Sequence, residues 1–260
     1  MLDRLLSLSE ISAIAHRGGS RLRPENTMAA FDHAVALGAH GVECDVHLSR
    51  DGEPVIIHDD TVDRTTGATG PVGGFTAPEL ARLDAGHHFG AEAAHPFRGE
   101  GIGVPRLAEL LDRHPRLPVI IEIKGDREAT AERVLAVVRD AHAESRVIIA
   151  GFSQRVLDLF RRLAPEIPTS ASQAEATAAI QGAAAGAPIR RGPFRLYQVP
   201  LRYNGQPAFD GAFVRAARDA GAPVQVWVVD DPDEMRRIAA WGVTGIISDR
   251  PDLALDCASR

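Results

Sequence analysis

Cysteine is scarce in this chain of 260 residues, which contains two, Cys44 and Cys257. They lie far apart, lack the spacing of a zinc or redox pair, and offer no disulfide framework. Tyrosine and tryptophan are equally few, two of each, so any that falls near polar, chemistry-bearing residues is informative. An excess of positive charge is also missing. The formal net charge of -6 argues against general affinity for nucleic acid or anionic membrane, since both need a basic surface. The opening MLDRLLSLSEISAIAHRG is interrupted by Asp3 and Glu10 and has no apolar run of membrane-span or signal-segment length. It reads as a short amphipathic lead-in helix, and a cytoplasmic location is the default expectation. What the chain does hold is 45% hydrophobic residues, enough for one substantial core in a single compact domain.

Polar residues concentrate early. Between Ile14 and Asp60 the chain carries IAHRGG, PENT, ECD and IIHDD. Histidines and carboxylates at that density are costly in an apolar interior unless they are paired, hydrogen-bonded or bound to metal. A polar site is therefore expected among them.

The surrounding pattern gives it a scaffold. Residues 12–16 form a short buried strand, and a helix follows from near Asn26, whose side chain can cap it, with Met28, Phe31, Val35 and Leu37 as its apolar stripe. Strand 41–49, the turn signal Asp51-Gly52 and the run 54–59 make an antiparallel hairpin, because a parallel crossover needs a dozen or more residues. Residues 60–105 are loose, rich in Gly and His, with a short helical piece at 78–83; they read as an insertion beside the site. Strands then begin near 118, 147, 168, 196, 223 and 244, each alternating with a helix. With 12 and 41 they number eight, the signature of a (β/α)8 TIM barrel, and PTSAS at 168–172 has the least strand character. Arg190, Arg191 and Arg195 precede a strand and fall on the N-terminal, solvated face.

Alternation along a strand puts Glu43 and Asp45 on one face and Cys44 on the other, and Glu122 and Lys124 repeat that arrangement. Three carboxylates at a barrel mouth suit one hard divalent cation, Mg²⁺ or Ca²⁺. His16 and His58 flank them as a candidate acid–base pair. Arg17 and Lys124 offer positive charge to an anion, and an anion with a metal suggests phosphoryl chemistry.

Taken together, HRG at 16–18, PENT at 24–27, Glu43 and Asp45, the Asp-Gly turn, His58-Asp59, RTT at 64–66, EIK at 122–124, Trp227 and GIISDRP resemble the glycerophosphodiester phosphodiesterase family. That resemblance implies a metal-dependent barrel with a small inserted subdomain after the His-Asp motif. It implies hydrolysis of small-molecule glycerophosphodiesters to glycerol 3-phosphate and an alcohol. Glu43, Asp45 and Glu122 would hold the metal, with His58 as a further ligand in some descriptions. His16 and His58 would be the acid and base of a route through a cyclic phosphate, Arg17 and Lys124 would face the phosphate, and Trp227 the glycerol. His47 departs from the family pattern and suggests a role in alcohol recognition, Asp230 stands where Asn is common, and Arg202 and Tyr203 are candidates for substrate contact. Glu25 serves the site's edge or the helix start, and His87, His88 and His95 read as surface. One rival is a lysophospholipase D type of phosphodiesterase, favoured by an apolar channel in the insertion and disfavoured by that segment's polar composition. Another is a catalytically silent barrel that binds glycerophosphodiesters; it predicts loss of a histidine or metal carboxylate, and none is lost.

Overall fold

Apolar, β-branched runs alternating with amphipathic helical segments decide the architecture. In the computed structural model, which describes residues 2–259, the first elements are β1 (Ser12–Ala15), α1 (Met28–Leu37), β2 (Gly41–Leu48), β3 (Pro54–Ile56), α2 (Ala77–Leu80) and α3 (Leu107–Arg113). Next come β4 (Val119–Ile123), α4 (Glu128–Asp140), β5 (Val147–Ala150), α5 (Gln154–Leu163), α6 (Gln173–Ala184) and β6 (Tyr197–Pro200). The chain ends with β7 (Arg202–Tyr203), β8 (Gln206–Pro207), α7 (Gly211–Asp219), β9 (Val224–Trp227), α8 (Pro232–Trp241), β10 (Gly245–Ser248) and α9 (Pro251–Ala258).

Strands β5, β4, β2, β1, β10, β9 and β6 are neighbours in that order and run parallel. The opening between β5 and β6 is filled by residues 168–172, which make a parallel bridge on each side, Thr169 to Ile149 and Ser170 to Leu196. Ser170 N–H donates to Ile149 O at 2.8 Å and Ala171 N–H to Leu196 O at 2.9 Å. The segment with least strand character is thus the eighth stave of the (β/α)8 barrel. Strand β3 lies antiparallel on β2, pairing Val46 with Ile56 and Leu48 with Pro54. Past Ile56 the arm keeps one more bond to β2, from Ile57 N–H to Asp45 O at 3.0 Å, and His58 then lies in a bend.

Period-two alternation sorts the strand residues into two environments. Val42, Cys44 and Val46 of β2 and Val119, Ile121 and Ile123 of β4 face outward and pack with Phe31, Leu110 and Phe160 of the helices. Ile14, Ile120, Ile148, Leu196 and Ile247 face inward and cluster with Leu2 and Leu5. The lead-in is not the helix its sequence suggests. It makes one turn, Leu6 N–H to Leu2 O at 2.9 Å, after which the Ser7 hydroxyl accepts from the backbone of Ser9 and Glu10 and draws the chain away from helical bonding. Gln225 Nε2 holds this plug by donating to Leu5 O at 2.9 Å. Among the described residues no helix is long and apolar enough to cross a membrane.

Two further local expectations are corrected. The cap of α1 is Thr27, whose hydroxyl accepts from Ala30 N–H, while Asn26 sits at φ 55° and turns its amide to Asp45. A buried carboxylate claims that donor, and threonine serves the helix end. The β7–β8 hairpin goes unread in the sequence pass, although Asn204-Gly205 signals it: both residues have positive φ, 49° and 77°, as a type I′ turn requires. Within 60–105, α2 begins at a capping box of Thr76 and Glu79, and Val62, Val72, Leu80 and Val104 cluster with Val55 and Ile57 of the β3 arm.

The turn that carries His16 is the tightest feature near the mouth. Arg17 has φ 51° and Gly18 φ 83°, and a Cβ on Gly18 would meet Ala30 Cβ at 2.6 Å and Ala30 C at 2.9 Å. Gly18→Ala must displace α1 or the turn, and is expected to cost about 2 kcal/mol or more in denaturant unfolding. A loss of less than about 0.5 kcal/mol, the size of an ordinary surface change, would contradict this packing.

Candidate active site

Asp45 and Glu122 are paired in the parallel register of β2 and β4, with Glu43 two residues earlier on the same inner face. Glu43 is 5% and Asp45 1% exposed, so both are almost wholly withdrawn from water. One oxygen from each of Glu43, Asp45 and Glu122 lies within 4.8 Å of the other two, the one such convergence of ligand-type atoms among the described residues.

Positive groups hold this cluster together. Lys124 follows β4, anchored by its N–H to Val46 O at 3.1 Å, and its Nζ lies 2.8 Å from Asp45 Oδ1 and 2.6 Å from Glu122 Oε1. Arg17 Nε is 3.2 Å from Asp45 Oδ2, and Arg17 N–H donates to Glu43 Oε2 at 3.1 Å. Asn26 Nδ2 donates to Asp45 Oδ2 at 2.8 Å. Burial alone would raise the Asp45 pKa, but Lys124 and Arg17 outweigh it and hold it low. Glu43 has weaker compensation, and burial with the charge of Asp45 pushes it up to about 8. Burial also raises Glu122 against the pull of Lys124.

These residues fit a hard divalent cation. The donors are all carboxylate oxygens, the preferred ligands of Mg²⁺ and Ca²⁺. Glu122 Oε1 is buried and meets Lys124 only as an ion pair, off the hydrogen-bonding direction, so it keeps an orphaned lone pair. His58 lies outside the converging trio.

The two histidines are mounted alike. His16 Nδ1 is 2.6 Å from Asp249 Oδ1, which leaves Nε2 directed to the mouth, 3.9 Å from Glu43 Oε2. Burial lowers the His16 pKa, yet the Asp249 hydrogen bond and the Glu43 charge more than offset it, and the net shift is upward. His58 Nδ1 is 2.6 Å from Asp59 Oδ1. Each ring is thereby fixed through Nδ1 and has Nε2 available for proton transfer.

Supports extend beyond the residues anticipated from sequence. Arg64 clamps Asp59 at 2.7 and 3.0 Å and also donates to Glu25 at 2.7 and 2.8 Å, and Arg17 reaches Glu25 at 2.8 Å. Glu25 is therefore the bridge between two arginines. Asp230 accepts from Asp249 N–H and Ser248 Oγ, both at 2.9 Å, and so steadies the carboxylate behind His16. His47 Nε2–H donates to His58 O at 3.1 Å, which makes it a prop for the segment that carries His58. Sequence reasoning gave Asp249 and Arg64 no individual role and made Asn26 a helix cap; the available signal was a carboxylate at the end of a barrel strand, β10, and side chains within recognised motifs. Trp227 ends β9 and meets Phe152 edge-on, ring centroids 6.0 Å apart. Arg202 pairs with Glu234 at 2.9 Å, and Tyr203 is exposed. Arg190, Arg191 and Arg195 are exposed, as is His88, while His87 and His95 are half-buried and apart from the carboxylate trio.

Along most of its length the chain is similar to known proteins. The glycerophosphoryl diester phosphodiesterase family model covers residues 16–253. A glycerophosphodiester phosphodiesterase of Caldanaerobacter subterraneus subsp. tengcongensis is 35% identical over 258 residues, spanning 95% of this chain and 97% of that protein. The structure of a glycerophosphodiester phosphodiesterase from Agrobacterium tumefaciens aligns with TM-score 0.73 at 33% identity, covering 95% of this chain and 99% of its own. A phosphodiesterase from Oleispira antarctica, in complex with the product sn-glycerol-3-phosphate, aligns with TM-score 0.78 at 25% identity over 96% of this chain and 97% of its own. From His16 at the mouth to Leu253 in the last helix, the chain belongs to the glycerophosphoryl diester phosphodiesterase family.

Proposed function

We propose that this barrel hydrolyses glycerophosphodiesters to glycerol 3-phosphate and an alcohol, with Mg²⁺ or Ca²⁺ held by Glu43, Asp45 and Glu122 and with His16 and His58 as the acid–base pair. The observation that carries the reading is a trio of carboxylate oxygens within 4.8 Å of one another beside two histidines, each tied to an aspartate at 2.6 Å. Family membership supports it, as does the product bound by the Oleispira relative. When bound, the cation would neutralise phosphoryl charge and ease deprotonation of a glycerol hydroxyl.

In this reading one histidine takes the proton of a free glycerol hydroxyl, whose oxygen attacks phosphorus. The P–O bond to the alcohol breaks as the other histidine protonates the leaving oxygen. Water then opens the resulting cyclic phosphate with the proton-transfer roles reversed, and the product is glycerol 3-phosphate. Lys124 and Arg17 meet the charge growing on the phosphoryl oxygens, and Trp227 packs against the glycerol. Asp249 and Asp59 keep the imidazoles oriented. His58 enters in both of its family roles, proton carrier and further cation ligand; a ligating Nε2 cannot carry a proton in the same state, so the variants below separate them. The proposal takes the chain as one domain with 60–105 inserted in it, working in the cytoplasm on a small-molecule substrate.

Purified protein should release glycerol 3-phosphate from glycerophosphocholine in a coupled assay. Chelation should abolish the activity and added Mg²⁺ or Ca²⁺ restore it; undiminished turnover in excess chelator defeats the cation's role. His16→Ala should lose about 10³-fold in kcat, within the span of a lost acid or base, and still bind the cation. His58→Ala separates the two roles of that residue: lost turnover with unchanged cation affinity marks a proton carrier, and a tenfold or greater fall in affinity marks a ligand, about the scale of one lost coordination partner. Asp249→Asn should lower kcat about 100-fold with KM within about twofold, because it disturbs the orientation of His16 without touching substrate. An unchanged kcat would remove Asp249 from the mechanism.

A further inference from the structure

The two histidines share a mounting but not its foundation. Asp249, behind His16, follows β10 directly, and its N–H donates to Asp230 Oδ1 at 2.9 Å, which holds it between the ends of β9 and β10. Asp59, behind His58, is the next residue in the chain and lies in the same bend, just past the Ile57 bond to Asp45 O. A partner that moves with the ring gives it no fixed direction. The orientation of His58 therefore needs a reference outside the bend.

Arg64 supplies one, and both edges of its guanidinium are engaged. Nε and Nη2 donate to Asp59 Oδ2 and Oδ1 at 2.7 and 3.0 Å, while Nη1 and Nη2 donate to Glu25 Oε2 and Oε1 at 2.7 and 2.8 Å. Asp59 Oδ1 is the oxygen that also meets His58 Nδ1 at 2.6 Å. Glu25 Oε1 accepts in turn from Arg17 Nη1 at 2.8 Å. Burial raises the Glu25 pKa, but Arg64 and Arg17 outweigh it and hold the carboxyl low. The backbone around Glu25 is pinned as well, since Thr27 Oγ1 donates to Pro24 O at 2.7 Å and Asn26 N–H to Arg17 O at 2.9 Å.

The sequence around Arg64 explains its steadiness. Val62 is buried in the cluster with Val55 and Ile57, and its N–H donates to Gly70 O at 3.0 Å. Thr66 is buried too, and its N–H and hydroxyl both donate to Val62 O, at 3.1 and 2.8 Å. Arg64 thus rides a single turn that is anchored on each side. A planar guanidinium can bridge two carboxylates with paired bonds on two edges, whereas a lysine ammonium is a point charge without that geometry.

We propose that Arg64 is a positioning residue for His58, acting through Asp59 and locked by Glu25 to the turn that carries Arg17, so that the start of segment 60–105 belongs to the catalytic assembly. The proposal rests on the hydrolytic reading of the mouth, in which His58 carries a proton and Arg17 faces the phosphate. The chain from Arg17 through Glu25, Arg64 and Asp59 then sets the spacing between the bound phosphate and the imidazole. Loss of that spacing acts on turnover more than on substrate affinity.

Arg64→Lys keeps the charge and loses the paired bonds. Its kcat on glycerophosphocholine should fall about tenfold or more with KM within about twofold, the scale of a lost supporting partner. Its melting temperature should stay within about 4 °C, because partly exposed ion pairs contribute little stability. Combined with Asp59→Ala, it should be no slower than Asp59→Ala alone, since both changes act on one ring. The ring itself gives a readout without turnover. In ¹⁵N NMR in alkaline buffer, where imidazoles are neutral, His58 should be a single Nδ1–H tautomer in the unaltered protein and a mixture of both tautomers in Arg64→Lys. Full turnover in Arg64→Lys, multiplied losses in the double variant, or a His58 tautomer indifferent to the change overturns the positioning role. A tautomer shift in a protein that cleaves no glycerophosphocholine supports the positioning of His58 and overturns the hydrolytic reading instead.

Discussion

Two nearly inaccessible carboxylates, Glu43 and Asp45, face into the same barrel beside Glu122, and like charges so close in a poorly solvated place repel strongly. The structure depends on answering that repulsion. Lys124 spans Asp45 and Glu122, Arg17 and Asn26 serve Asp45, and a backbone N–H from the strained HRG turn serves Glu43. The same contacts fix Arg17 and Lys124 at the barrel mouth. Arg17 reaches both Asp45 and Glu25 from a turn with a left-handed backbone, and Gly18 permits the close approach of α1 behind it. Electrostatic compensation and active-site assembly are therefore one set of interactions. The elevated Glu43 carboxyl and the orphaned Glu122 oxygen mark where compensation is incomplete, and the proposed hard cation would complete it.

Much of this was legible in the sequence because it depends on local periodicity. Period two along β2 and β4 placed Glu43, Asp45 and Glu122 on one face, and eight strand–helix alternations indicated the barrel. The Asp51-Gly52 turn correctly folded β3 back onto β2. Interactions across long sequence separations were not legible. Asp249 pairs with His16 across 233 residues, and Asn26 abandons a helix cap for Asp45. A local rule can state what a residue is able to do at a helix end; it cannot weigh a buried carboxylate arriving from another strand. The lead-in failed for the same reason, since its leucines answer to the barrel interior more than to helix propensity.

The mouth is asymmetric. On the β2–β3 side the Glu25, Arg64, Asp59 and His58 chain of ion pairs and hydrogen bonds makes a polar rim. From β5 round to β9 the rim is apolar and opens over an alanine-rich helix. Residues 60–105 pack against the β3 arm, on the polar half.

The central claim is that Glu43, Asp45 and Glu122 form one cation site. Calorimetric titration of Mg²⁺ and of Ca²⁺ into chelator-stripped protein tests it most directly, alongside Glu43→Gln and Glu122→Gln. Binding of a single equivalent that weakens by about tenfold or more in each variant, as loss of a charged oxygen ligand requires, is the predicted result. Undiminished binding in both variants, or no binding to the unaltered protein, would contradict it.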